Sequence, residues 1–145
     1  IAFFLSMWYN IYSTLVREVV FILTSAERQQ AEAFLGKIRP LLCTGEFTIA
    51  RTEKNIAFDR EFSLTHQEKC AILLTLTADD CCQIAMNNNP RYETDEVYIF
   101  FKETVLPVFG EPENVKLYLK MYIREARTYD IVIVISFHKE GMHDL

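Results

Sequence analysis

Residues 115–124 read VKLYLKMYIR and residues 131–138 read IVIVISFH. In the first stretch Val115, Leu117, Leu119, Met121 and Ile123 alternate with Lys116, Tyr118, Lys120, Tyr122 and Arg124. Successive side chains of a strand point to opposite faces, so this is a strand with one core face and one basic, aromatic face. The second stretch is β-branched and sets Ile131, Ile133, Ile135 and Phe137 on one side, with Val132, Val134, Ser136 and His138 on the other. The short connection predicts a hairpin. A slip of one residue would turn charges toward the core, so only registers that keep the apolar faces together survive. With Tyr118 opposite His138, Lys120 faces Ser136 diagonally from the imidazole, and Tyr118, Lys120, Ser136 and His138 share one surface.

That cluster suits a phosphodiester. A Lys offsets charge on the non-bridging oxygens, a His moves a proton near neutral pH, and a Tyr orients or assists the attacking hydroxyl. RNA carries its own nucleophile, the 2′-hydroxyl, so such chemistry requires neither a metal nor a protein nucleophile. The candidate catalytic residues are therefore Tyr118, Lys120 and His138, with Ser136 on the substrate beside them. The same residue types also occur on ordinary solvated strand faces. His66 and His143 are expected to be structural or solvated, and Asp79 and Asp80 to cap a helix start.

Working outward, residues 18–24 (EVVFILT) have strand character. Thr24-Ser-Ala-Glu27 then has capping-box spacing ahead of the stripe Ala31, Phe34, Leu35 and Ile38, a helix that Pro40 is expected to close. Gly45 opens a short alternating piece with Phe47 and Ile49, and residues 51–55 read as a polar turn. Thr65-His-Gln-Glu68 and Thr77-Ala-Asp-Asp80 start two short helices, the second running to residues 87–90. Residues 97–101 form an aromatic strand and residues 107–114 a turn region. Helices first and strands last predict an α+β fold, a twisted antiparallel sheet with short helices packed on one side.

The chain has 145 residues with 15 Lys and Arg against 20 Asp and Glu, a net charge of -5. Half of its residues are hydrophobic, which excludes disorder, and the acidic balance disfavours a purely electrostatic nucleic-acid binder. The apolar residues 1–16 are too short and too often interrupted by Ser, Asn and Thr to span a bilayer, so no membrane association is expected. Cys81 and Cys82 are adjacent, and the four cysteines lack zinc spacing. They read as thiols in a reducing, cytoplasmic compartment, with no metal and no cofactor.

The collinear set LTLTADDCCQIAM, EVYIFFK, VKLYLKMYI and VIVISFHKEG, preceded by AEAFLGKIRPLLCTGEF, resembles the MqsR family of bacterial toxins over residues 31–140. The resemblance implies a RelE-like domain over residues 29–145, with residues 1–28 a separate apolar segment and strand. It implies a metal-independent mRNA endoribonuclease of a type II toxin-antitoxin pair, held inactive by an antitoxin from the same operon. Tyr118 and Lys120 match the Y-x-K motif, and Ser136, Phe137 and His138 match S-F-H. Gln83 stands where the family carries an active-site Lys, and joins Lys116, Ser136 and Tyr122 as an expected substrate contact. The alternative is a non-catalytic protein-interaction domain that keeps the toxin-like sheet.

Overall fold

The computed structural model describes residues 23–86 and 96–141. Helix α1 (Ser25–Cys43) begins at the predicted capping box: the Thr24 hydroxyl accepts from the Glu27 N–H and the Glu27 carboxylate from the Thr24 N–H, both at 3.1 Å. Two donors that a helix start leaves open are thereby satisfied. Pro40 does not close this helix, which runs on to Cys43 and is not short. So near the C-terminus the proline forfeits a single ladder bond, while Leu42 adds a buried anchor and the Thr44 N–H donates to Pro40 O at 3.1 Å. The strand expected over residues 18–24 lies mostly outside the described residues.

Strand β1 (Phe47–Ile49) is followed not by a turn but by helix α2 (Glu53–Phe62), whose N-cap Thr52 accepts from the Asn55 N–H at 3.2 Å. Helix α3 (His66–Leu74) starts at the second predicted capping box. The third helix expected from Thr77 is one 3₁₀ turn, Ala78–Asp80, leading into strand β2 (Cys81–Met86). Residues 81–86 bond in a ladder to β3 (Glu96–Val108), and tertiary pairing overrides the local helix-start signal.

Strands β4 (Glu111–Glu125) and β5 (Asp130–Lys139) complete a sheet of order β1-β5-β4-β3-β2. It is mixed rather than wholly antiparallel, because β1 runs parallel to β5 at one edge. The turn region expected over residues 107–114 narrows to two residues, with strand on both sides. Phe109 and Gly110 have φ of 50° and 81°, a two-residue turn with both central residues left-handed, which suits the twist of a tight hairpin. Pro107 pairs with Pro112. Bonded and non-bonded pairs alternate along a hairpin, and the pair next to a two-residue turn is bonded, so the prolines occupy a pair whose N–H positions point outward. Neither β2, ending its pairing at Phe100, nor β5, ending at Leu117, reaches that far, and among the described residues no ladder bond is lost.

The helices cover one face of the sheet. Phe34 of α1 stacks on Tyr98 with centroids 3.8 Å apart, and Phe58 of α2 meets Phe137 at 5.7 Å. Leu117, Leu119, Met121, Val132 and Val134 complete this core. Phe58 is fully buried, so truncating it to Ala costs about 3–5 kcal/mol by the usual loss of packed volume. Among the described residues no helix is long and apolar enough to cross a membrane.

Candidate active site

The register of β4 and β5 sets Tyr118 opposite His138 and Lys120 opposite Ser136. The next pair is Met121 with Val134, so Ile135 is an extra residue, a β-bulge. A bulge reverses the alternation along its strand. Val132, Val134 and Phe137 therefore face the core, and Ile131 and Ile133 lie with Ser136 and His138 on the opposite face. This corrects the simple alternation expected over residues 131–137.

The bulge has a dedicated partner in Asn55, a side chain only 3 % exposed. Its amide donates to Ala50 O at 2.8 Å and to Ile135 O at 3.0 Å, and its carbonyl accepts from the Phe137 N–H at 2.9 Å. β1 last pairs at Ile49, and the Ala50 N–H still reaches Val134 O at 2.9 Å. From there the Asn55 amide stands in for the next peptide group of β1, giving β5 the donor and acceptor that a continuing strand would give. Sequence reading missed this residue because a lone Asn in a polar stretch carries no pattern; the Thr52 N-cap was the available signal.

A cavity of about 500 Å³ opens on the face of β4 and β5 opposite the Phe58–Phe137 core, lined by Tyr118, Lys120, Ser136 and His138 together with Thr52, Glu53, Lys54 and Gly141. The four side chains expected to share a surface do share it. The first turn of α2, which was not anticipated, forms the other wall. His138 is 5 % exposed and its Nδ1 lies 2.8 Å from Lys139 O. A carbonyl only accepts, so the neutral ring carries its hydrogen on Nδ1 and its lone pair on Nε2. The Tyr118 ring stacks on the imidazole with centroids 5.4 Å apart, and burial pushes its phenol above the ordinary range, with a smaller push from Cys82. Tyr118 is thus a neutral donor at physiological pH. The strand end bearing His138 is fastened by Lys139, whose Nζ lies 2.8 Å from Glu61 Oε1.

The remaining expected contacts lie elsewhere. Tyr122 is buried and pairs with Ile133 on the same face, outside the cavity. Lys116 is exposed, with its ammonium 4.9 Å over the Phe101 ring. Gln83 is exposed on β2 opposite Ile99, which pairs with Lys120, and so lies two strands away in the same row. His66 stacks on Phe47 at 4.1 Å, and His143 lies outside the described residues. Asp80 accepts from the Thr77 N–H at 2.9 Å and Asp79 pairs with Arg28. All four cysteines are free thiols.

No family model matches this chain, and no curated protein and no solved structure is significantly similar to it.

Proposed function

We propose that this protein is an RNA endonuclease that cleaves through the substrate's own 2′-hydroxyl, a toxin of the MqsR type restrained by an antitoxin from the same operon. The observation that carries the reading is the convergence of Tyr118, Lys120, Ser136 and His138 on one cavity. Each step of the chemistry finds a suitable group there. His138 Nε2 takes the 2′-hydroxyl proton as the oxygen attacks phosphorus. Lys120 and the Ser136 hydroxyl offset charge gathering on the non-bridging oxygens, a contribution expressed mostly in the transition state. Tyr118, kept protonated by burial, donates to the departing 5′-oxygen. The products are a 2′,3′-cyclic phosphate and a free 5′-hydroxyl.

The test is cleavage of mRNA by purified variants. His138→Ala is expected to slow cleavage by about 10² to 10⁴, the usual contribution of one general base, and Lys120→Ala by a comparable factor. Lys120→Ala is expected to keep the wild-type unfolding midpoint within a few degrees, because its side chain lies outside the helix-covered core; His138 is buried, so the His138→Ala rate is taken per folded molecule, with the folded fraction measured by circular dichroism. Undiminished cleavage by the double variant would remove the assignment.

One observation favours the second reading, a protein-interaction domain. Phe109 is fully exposed at the tip of the β3–β4 hairpin, in a left-handed conformation that a bulky residue rarely adopts. Glu111 and Glu113 follow it, and Val105 is also exposed. An aromatic side chain held out in this way fits an apolar socket on a partner with a basic rim.

A further inference from the structure

The cavity that holds Tyr118, Lys120, Ser136 and His138 has a neighbour across α2. A second cavity, of about 480 Å³, receives Asn55, Ile56, Asp59 and Arg60 from that helix, with Arg51 just ahead of its N-cap. Glu53 and Lys54 turn to the first cavity and the other four to the second, as the helical period places them on different faces. Helix α2 is thus the partition between the two, about 10 Å across. At its start the walls meet: Thr52 lines the first cavity and Arg51, the preceding residue, lines the second.

The charges of the second cavity divide into committed and uncommitted groups. Lys69 and Asp59 form an ion pair, and His66 stacks on Phe47, so these three already have partners. Arg51 and Arg60 are both exposed, and among the described residues neither has a carboxylate or a hydrogen-bond partner. With Lys69 and Asp59 cancelling, the cavity carries two guanidiniums that no carboxylate offsets, in a chain whose net charge is -5. A guanidinium presents a planar fork of donors that matches a phosphate, and here no existing ion pair has to break first. An RNA backbone seated at Lys120 and Ser136 has to leave the first cavity over one of its walls, and at the Thr52 wall the next side chain it meets is Arg51. An acidic protein partner could also reach these arginines, but nothing would tie it to the first cavity.

We propose that Arg51 and Arg60 form a phosphate subsite, holding the RNA backbone a short way along from the cleaved bond as the strand crosses the start of α2. The inference rests on the RNA-cleavage reading and narrows its substrate. The RNA has to extend past the cleaved phosphate far enough to reach the second cavity, so a dinucleotide is a poor substrate and a longer strand a good one.

The experiment measures binding of a labelled, mixed-sequence all-2′-O-methyl RNA strand, which has no 2′-hydroxyl to attack with, by fluorescence anisotropy across a salt series. The wild-type protein is compared with Arg51→Gln/Arg60→Gln and with Lys37→Gln/Arg127→Gln, which removes the same charge from exposed positions outside both cavities. Arg51→Gln/Arg60→Gln is expected to weaken binding about 10-fold, the lower end for hydrogen bonds to a charged group. The slope of log affinity against log salt is expected to shrink by about 0.7, the value for one phosphate contact on a single strand. On an all-ribose strand KM should rise by a similar factor while kcat falls little, because a phosphate that does not react is held equally in ground and transition states. Lys37→Gln/Arg127→Gln is expected to bind as the wild-type protein does. Wild-type affinity in Arg51→Gln/Arg60→Gln, or an equal loss in Lys37→Gln/Arg127→Gln, overturns the subsite. A wild-type protein that does not hold the strand at all overturns it too, and leaves the arginines to an acidic protein partner. Cleavage of the all-ribose strand by the same wild-type preparation reports separately on the parent reading: RNA cut with no dependence of KM on the two arginines refutes the subsite alone, and arginine-dependent binding without cleavage refutes the parent alone.

Discussion

Replacing Asn55 by Ala removes three hydrogen bonds, to Ala50 O, Ile135 O and the Phe137 N–H, from a site that water barely reaches. At a net contribution of about 1 kcal/mol each, the loss is roughly 3 kcal/mol. It rises toward about 5 kcal/mol if the orphaned backbone groups stay dry, since each unsatisfied buried group costs about 1–3 kcal/mol. Asn55→Leu fills nearly the same volume without the bonds and is expected to lose about as much, which separates the polar effect from a cavity effect. Equilibrium urea unfolding is the assay: the midpoint falls while the slope stays constant, because the native surface is unchanged. Because the bulge orients Ser136 and His138, the surviving folded Asn55→Ala is also expected to lose cleavage rate while its KM moves little. A stability loss below about 1 kcal/mol in both variants would refute the claim that Asn55 continues the edge strand into the bulge.

Phe109→Asn places a residue that tolerates the left-handed region at the hairpin tip, and should raise stability by roughly 1 kcal/mol, a few degrees in melting temperature, with RNA cleavage unchanged. An unchanged or lower melting temperature would mean that the turn carries no strain. Cys81 and Cys82 have folded-state values raised above the ordinary thiol value of 9.0. The unfolded chain therefore ionises first, and stability is fully present below about pH 9 and is lost as pH rises toward the folded values, by roughly 1 kcal/mol per thiol at pH 10. Cys81→Ala should flatten that alkaline decline in urea unfolding series; an equally steep decline would assign it to other groups. Tyr118→Phe should lower the cleavage rate and abolish any fall in rate above the ordinary phenol range, because the raised phenol is the proton donor.

The β4–β5 pairing was legible because polar and apolar residues alternate without exception over residues 115–124. The bulge was not, since residues 131–135 are apolar throughout and either parity satisfies the pattern. Helix α2 was hidden for a related reason: its buried positions are Asn55, Phe58 and Phe62, and a polar residue stands where the stripe should begin. Pro107 and Pro112 read as breakers because sequence does not reveal that they would sit opposite each other at a pair with outward N–H positions. β2 was obscured by a genuine helix-start signature at Thr77, which the structure uses for a single turn. The parallel edge strand β1 spans only residues 47–49, too short to announce its neighbour. Of the site, the half on β4 and β5 could be read in advance, and the wall from the first turn of α2 could not.

The central claim, cleavage by the substrate's own 2′-hydroxyl at the Tyr118, Lys120, Ser136 and His138 cavity, is tested most directly with one synthetic RNA and its counterpart bearing a single 2′-deoxy nucleotide 5′ of the mapped cleavage site. Mass analysis of the wild-type products is expected to show a 2′,3′-cyclic phosphate with the all-ribose strand, and no cut at that position in the deoxy strand. Cleavage of the deoxy strand at the same bond, or products ending in a 5′-phosphate and a 3′-hydroxyl, would contradict it.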